Sequence, residues 1–184
     1  MWYFKLIIMT VLLGSSTVAQ QSMNMTAFKN EARIFERVVG EVLRQDFTHP
    51  FALESEPLTT YINGYGVVVT FHLKINRPTF QGISAAAEEE PRQEQAGKRD
   101  TQQQIELVER RMVECLADFG RSLRQLNSNE HITISAHIED RSALNPRTGK
   151  TVLTLTALKD DVDTYSASRL SFEEFRDKVR KLRY

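Results

Sequence analysis

The chain has 184 residues, with 24 Lys and Arg against 24 Asp and Glu, four His and one Cys. So even a charge balance gives no electrostatic drive toward nucleic acid or an anionic membrane surface. The lone Cys115 excludes an internal disulfide, so a hydrophobic core must hold the fold, and a chain of this length can build one as a single domain.

Residues 1–19 read as a cleavable signal peptide. Lys5 and the amino terminus make a short positive start, an apolar run follows at 6–13, and Gly14, Ser15, Ser16, Thr17, Val18 and Ala19 close it. Thr17 and Ala19 are small enough for a signal peptidase pocket, which places the cut between Ala19 and Gln20. The run is shorter than the ~20 apolar residues that cross a bilayer. With no Cys beside the cut, a lipid anchor is not expected. Cleavage would remove one Lys and no acid, leaving 20–184 as one near-neutral domain, periplasmic or extracellular, with no membrane span.

Residues 26–46 are predicted to be helical. Phe28, Ala32, Phe35, Val38, Val39, Val42 and Leu43 recur at three- and four-residue steps, Thr26 could cap the start, and His49-Pro50 sets the limit. Residues 58–75 read as a hairpin around an Asn63-Gly64 two-residue turn, whose residues tolerate positive φ. In its second strand Val67, Val69, Phe71, Leu73 and Ile75 share one face, and Thr70, His72 and Lys74 the other. The stretch 77–100 is polar and charged, broken by Pro91 and Gly97, and is expected to be a mobile loop with room for transient helix. Over 101–126 a long helix is predicted, with Ile105, Val108, Met112, Cys115, Leu116, Phe119, Leu123 and Leu126 as its stripe. Phe119 is thereby placed in the core, where truncation to Ala costs ~3–5 kcal/mol.

Residues 131–139 alternate, with Ile132, Ile134, Ala136 and Ile138 inward and His131, Thr133, Ser135 and His137 outward. Residues 151–158 return as a strand with Leu153, Leu155 and Ala157 opposite Thr154 and Thr156. Residues 160–165 are expected to be a turn. Ser171 and Glu174 make a capping box for a last helix whose stripe is Phe172, Phe175, Val179 and Leu182. The order α-β-β-loop-α-β-β-α implies an α+β two-layer sandwich. Its four-stranded, mainly antiparallel sheet carries three helices on one face, and each hairpin is antiparallel.

Two stretches carry a resemblance. Asn63-Gly64-Tyr65-Gly66-Val67-Val68-Val69-Thr70-Phe71 resembles a GYG strand. Asp161-Val162-Asp163-Thr164-Tyr165, with Arg169-Leu170-Ser171-Phe172-Glu173-Glu174-Phe175 after it, resembles a DxDxY…RLSxEEF ending. Together they are similar to a group of uncharacterised exported bacterial proteins with this same plan, which implies export and the architecture but no activity. The element order is also loosely similar to the roadblock/longin fold of interaction modules, a fold-level analogy.

No catalytic signature is present. There is no GxSxG, SxxK or HExxH, and Cys115 lies on an apolar stripe rather than in an exposed electropositive setting. Asp161 and Asp163 imitate the start of a calcium loop, but Ser166 stands where Gly is needed and Phe172 where Glu is needed. The Gly64-Tyr65-Gly66 stretch precedes a strand, so it is no phosphate loop. Of His49, His72, His131 and His137, His72 and His137 point to the polar sheet face, His131 has the parity of His137, and His72 could approach His137 if their strands are neighbours. Zinc needs three or four ligands, so no metal or cofactor is implied. The candidate binding residues are those of the polar face: Thr70, His72, Lys74, Ser135, His137 and Thr154. A solvated face would look the same. The reading is a non-catalytic binding or assembly module of the bacterial envelope, with a protein partner or a second copy as its target. The rival is a small periplasmic enzyme or ligand- or metal-binding protein with His72 and His137 in its site.

Overall fold

Helix α1, Met25–Asp46, forms where the first stripe predicts it, with Phe28, Ala32, Phe35, Val39 and Leu43 buried. Its cap is Asn24 rather than Thr26: Asn24 Oδ1 accepts from the backbone N–H of Thr26 and Ala27, each at 3.1 Å. The computed structural model describes residues 23–46, 52–75, 90–140 and 150–184, with backbone alone at 46 and 90–100. Residues 1–22, 47–51, 76–89 and 141–149 lie outside the described residues, and with them the predicted signal peptide 1–19, the predicted helix limit at His49-Pro50 and most of the loop expected at 77–100.

Strands β1 (Ala52–Leu53) and β2 (Leu58–Ile62) both run antiparallel along one edge of β3, Gly66–Ile75. The chain then crosses through helix α2, Glu90–Phe119, and returns as β4, His131–Asp140, parallel to β3. Long helical crossovers bring a strand back in the same direction, as short turns cannot. Antiparallel β5 (Lys150–Leu158) and β6 (Arg180–Arg183) complete the order β1-β3-β4-β5-β6, with β2 beside β3. Between β5 and β6 lie two short helices, α3 (Lys159–Ser166) and α4 (Phe172–Lys178).

The fold is thus α+β with a mostly antiparallel sheet, but its details differ from the expected four strands and three helices. Six strands and four helices are present among the described residues. Backbone at 90–100 is helical, not loop, since α2 begins at Glu90 with Pro91 in its first turn, where proline is tolerated. Residues 160–165 are not a turn but the body of α3, with Asp160 and Asp161 in its first turn at the positive end of the helix dipole. The last helix forms with its capping box, Ser171 and Glu174 each bonding the other's backbone N–H, yet it stops at Lys178. Val179 is extended at φ −69°, ψ 118°, and the chain goes on as β6. Leu182, expected in a helical stripe, is 59% exposed on that strand.

Helix α2 ends earlier than expected, followed by a 3-10 turn at Gly120–Ser122. A Cβ on Gly120 would stand 3.1 Å from Val162 and 3.2 Å from Ile132, so the turn packs where a larger residue would crowd. Beyond Leu116 the buried face runs through Ala117 and Gly120, while Leu123 and Leu126 are buried after the turn. Phe119 is pushed off that face and is 38% exposed, against its placement in the core. Cys115 is buried among apolar neighbours, as the stripe implies.

One core joins both layers, with Phe35, Phe71, Leu116, Ile134, Leu153 and Phe175 among its buried members. Three buried charges tie its rim, each with partners. Glu31 accepts from Arg124 Nε (3.2 Å) and Gln125 N (3.1 Å), fastening α1 to the segment after α2. Glu130 accepts from the Tyr61 hydroxyl at 2.8 Å and from both Asn127 nitrogens, and this bond raises the Tyr61 pKa. Lys159 Nζ donates to both Asp163 oxygens at 2.5 and 2.6 Å.

The hairpin turn differs from the expected two-residue form. Residues 63–65 connect Ile62 to its partner Gly66, Tyr65 N donates to Ile62 O at 3.0 Å, and Gly64 alone of the three has positive φ (76°). This matches a type II turn, which asks for glycine at its third position only. Gly66 follows at φ 125°, and a Cβ there would fall 2.1 Å from the carbonyl oxygen of His131.

Gly66→Ala is therefore expected to cost ~2–4 kcal/mol in denaturant unfolding, from backbone strain and displacement of β4 together. Phe119→Ala should cost under about 1.5 kcal/mol in the same measurement, because a part-exposed ring leaves little cavity.

Candidate functional site

Alternation along β3, β4 and β5 sends the branched apolar residues into the helical layer and leaves the intervening side chains on the opposite face. On the covered side, Lys181 of β6 reaches Glu109 of α2 at 2.8 Å. No described helix lies on the other side, where the strand register sorts the side chains into rows. One row is Val68, Thr133, Thr156 and Arg180, the next Leu58, Thr70, Ser135, Thr154 and Leu182. A third is His72, His137 and Val152, which Tyr184 joins through paired backbone bonds to Val152 (2.8 and 3.1 Å). Lys74, Glu139 and Lys150 make the fourth.

All six sequence-derived candidates, Thr70, His72, Lys74, Ser135, His137 and Thr154, therefore share this face. Ser135 and Thr154 hydroxyls are 3.2 Å apart, and Thr133 and Thr156 are 3.0 Å apart one row away. His72 and His137 stack, with ring centroids 4.8 Å apart and planes 17° from parallel. Lys74 is tied at the margin by an ion pair to Glu54, in the link between β1 and β2.

Tyr65 was not among the candidates, because turn residues carry no strand parity. Its hydroxyl meets Thr133 Oγ1 at 2.7 Å, and its ring stacks on His131 at 5.2 Å. Leu182 and Tyr184 were also missed, since a strand at 180–183 was not foreseen. With Leu58 and Ile62 they are the exposed apolar side chains at the two flanks: Leu58 is 67% exposed and Tyr184 71%.

The chemistry of the face follows from these contacts. Burial, and then the charge of His72, lowers the His137 pKa, so His137 favours its neutral form. Two imidazoles by themselves fall short of the three or four ligands that a zinc site uses. Among the described residues no three His, Cys, Asp or Glu gather as a metal site. The hydroxyls of Thr133, Ser135 and Thr154 bond to other hydroxyls, whereas an activated nucleophile needs an adjacent, oriented base. No protein-family model, curated protein or solved structure matches the chain. No described helix is long and apolar enough to cross a membrane.

The lowered His137 pKa has a consequence for stability. The folded protein holds this group neutral more firmly than the unfolded chain does. Its contribution is complete above the unfolded value near ~6.5 and is lost as pH falls through the folded value. Wild type should therefore lose more unfolding free energy between pH 7.5 and 5 than His137→Gln does. Parallel pH profiles for the two would contradict the assigned environment.

Proposed function

We propose that the chain is an exported, non-catalytic binding module that docks another protein on the open face of its sheet. One observation carries this reading: the row Leu58, Thr70, Ser135, Thr154 and Leu182. Ser135 and Thr154 are already bonded to each other at its centre, and its two leucines stand exposed at the ends. Hydroxyls satisfied within the face cost little to desolvate, and apolar groups beside them gain from burial. The face is also firm, because β3 and β4 beneath it are central strands with pairing on both sides. Charge offers little selectivity for nucleic acid, since cations and anions balance over the chain.

Export rests on the signal-like segment 1–19, and the resemblance to exported bacterial proteins with a GYG strand supports it. In that setting the partner belongs to the envelope or the extracellular space. A ligand or metal site on His72 and His137 is the weaker reading, because no third His, Cys, Asp or Glu joins them among the described residues.

A photo-crosslinking residue placed at Thr154 or Leu182 should yield a discrete protein adduct in the native cell, and the same residue at Arg33, on the outer side of α1, should not. An adduct of twice the chain mass would identify a second copy as the partner, and any other discrete mass a different protein. Absence of adducts at both sheet positions, or equal labelling from Arg33, would end the proposal.

A further inference from the structure

The helical layer contains a second feature that the open face does not explain. Between the C-terminal end of α2 and the segment joining α3 to α4 lies an open groove of about 750 Å³. Tyr165 and Leu170 give it apolar walls, and Arg121, Arg169, Asp118 and Glu174 bring four charges to it. Opposite charges that share a concave surface usually pair. Here none of the four takes part in an ion pair among the described residues.

Each carboxylate is half used. Asp118 Oδ1 receives the Tyr165 hydroxyl at 3.5 Å, a long contact, and Oδ2 has no donor among the described residues. Glu174 Oε2 receives both the backbone N–H and the hydroxyl of Ser171 at 2.7 Å, and Oε1 has no donor among the described residues. Those bonds to Ser171 hold the Glu174 pKa below its usual value, so the group is charged at neutral pH. The groove thus offers two guanidiniums and two carboxylates that the fold leaves unpaired with each other. An anion alone would leave the carboxylates unmatched, and a cation alone would leave the guanidiniums so.

We propose that this groove binds a zwitterionic ligand of the amino-acid type, free or as a short peptide. Its carboxylate lies against Arg121 and Arg169, its ammonium against Asp118 and Glu174, and an apolar side chain along Tyr165 and Leu170. A planar guanidinium matches a carboxylate in bidentate fashion, and an ammonium needs only acceptor oxygens. The volume falls within the ~300–1,000 Å³ range of small-ligand sites. This inference stands apart from the open sheet face and does not rest on it.

The test is a titration of the ¹⁵N-labelled protein, followed by amide shifts, with three probes at constant ionic strength. These are L-leucine, the tripeptide Ala-Leu-Ala, and N-acetyl-L-leucine amide, which lacks both charges. One or both charged probes should give saturable shifts at 118–121 and 165–171, and the capped probe none. Saturation with leucine alone assigns a free amino acid, and saturation with the tripeptide alone assigns a peptide. The double variant Arg121→Gln/Arg169→Gln, at two exposed positions, should bind at least ~10-fold more weakly at an unchanged melting temperature, as expected when ~1.4 kcal/mol or more of charge-assisted bonding is lost. No saturation with either charged probe, equal binding of the capped probe, or an unweakened double variant would overturn the proposal.

Discussion

The parallel pairing of β3 with β4 is the contact on which the rest of the molecule depends. These two strands are the middle of the sheet, and every row of the open face crosses them in register, from Gly66 with His131 to Ile75 with Asp140. At the start of the pairing the backbones come too close for any side chain on Gly66, and His131 N donates to Tyr65 O at 2.7 Å. A glycine is required there twice over, for its positive φ and for its missing Cβ. The same contact sets the face, because a one-residue slip would turn the hydroxyls and imidazoles into the core.

Around that clamp the buried charges act as fasteners. Glu130, one residue before β4, binds Tyr61 of β2 and the Asn127 nitrogens, and its carbonyl receives the N–H of Lys159 at the end of β5. Lys159 in turn is closed by Asp163 within α3. The ends of three strands are thus held by groups whose burial would be costly without partners. Tyr65 reaches over the same end, so that the turn, the threonine pair and His131 form one connected patch.

The two proposed sites have opposite characters for a common reason. The sheet face is flat, with its polar groups bonded to one another, so it suits a broad protein surface. The groove beside α3 and α4 is concave, with charges that do not meet, so it suits a small ligand that carries both signs. Each follows from how local elements finish: the face from strands with only one side covered, the groove from two short helices and the bend between them.

Much of this was legible in the residues alone. Two-residue alternation in β3, β4 and β5 and the stripe of α1 are local patterns, and they placed all six candidate side chains on one face. Ser171 and Glu174 announce the start of α4 in the same way, because a capping box involves only neighbours in the chain. What local pattern could not decide was which strands become neighbours, where helices stop, and what the last residues do. Val179 and Leu182 continue a helical spacing, yet the backbone leaves the helix and pairs with the open edge of β5, a contact no nearby residue encodes. Phe119 fits the stripe of α2, yet the tight packing of Gly120 against Val162 and Ile132 ends the helix first and leaves the ring part-exposed. The stacking of His72 on His137 was conditional on a strand pairing sixty-five positions away in the chain, since 72 and 137 meet only once α2 has carried β4 back alongside β3. Sequence by itself determined which side of each strand is polar, because that depends on neighbours two residues apart. Tertiary structure decided which of those polar groups meet, because that depends on packing between segments distant along the chain.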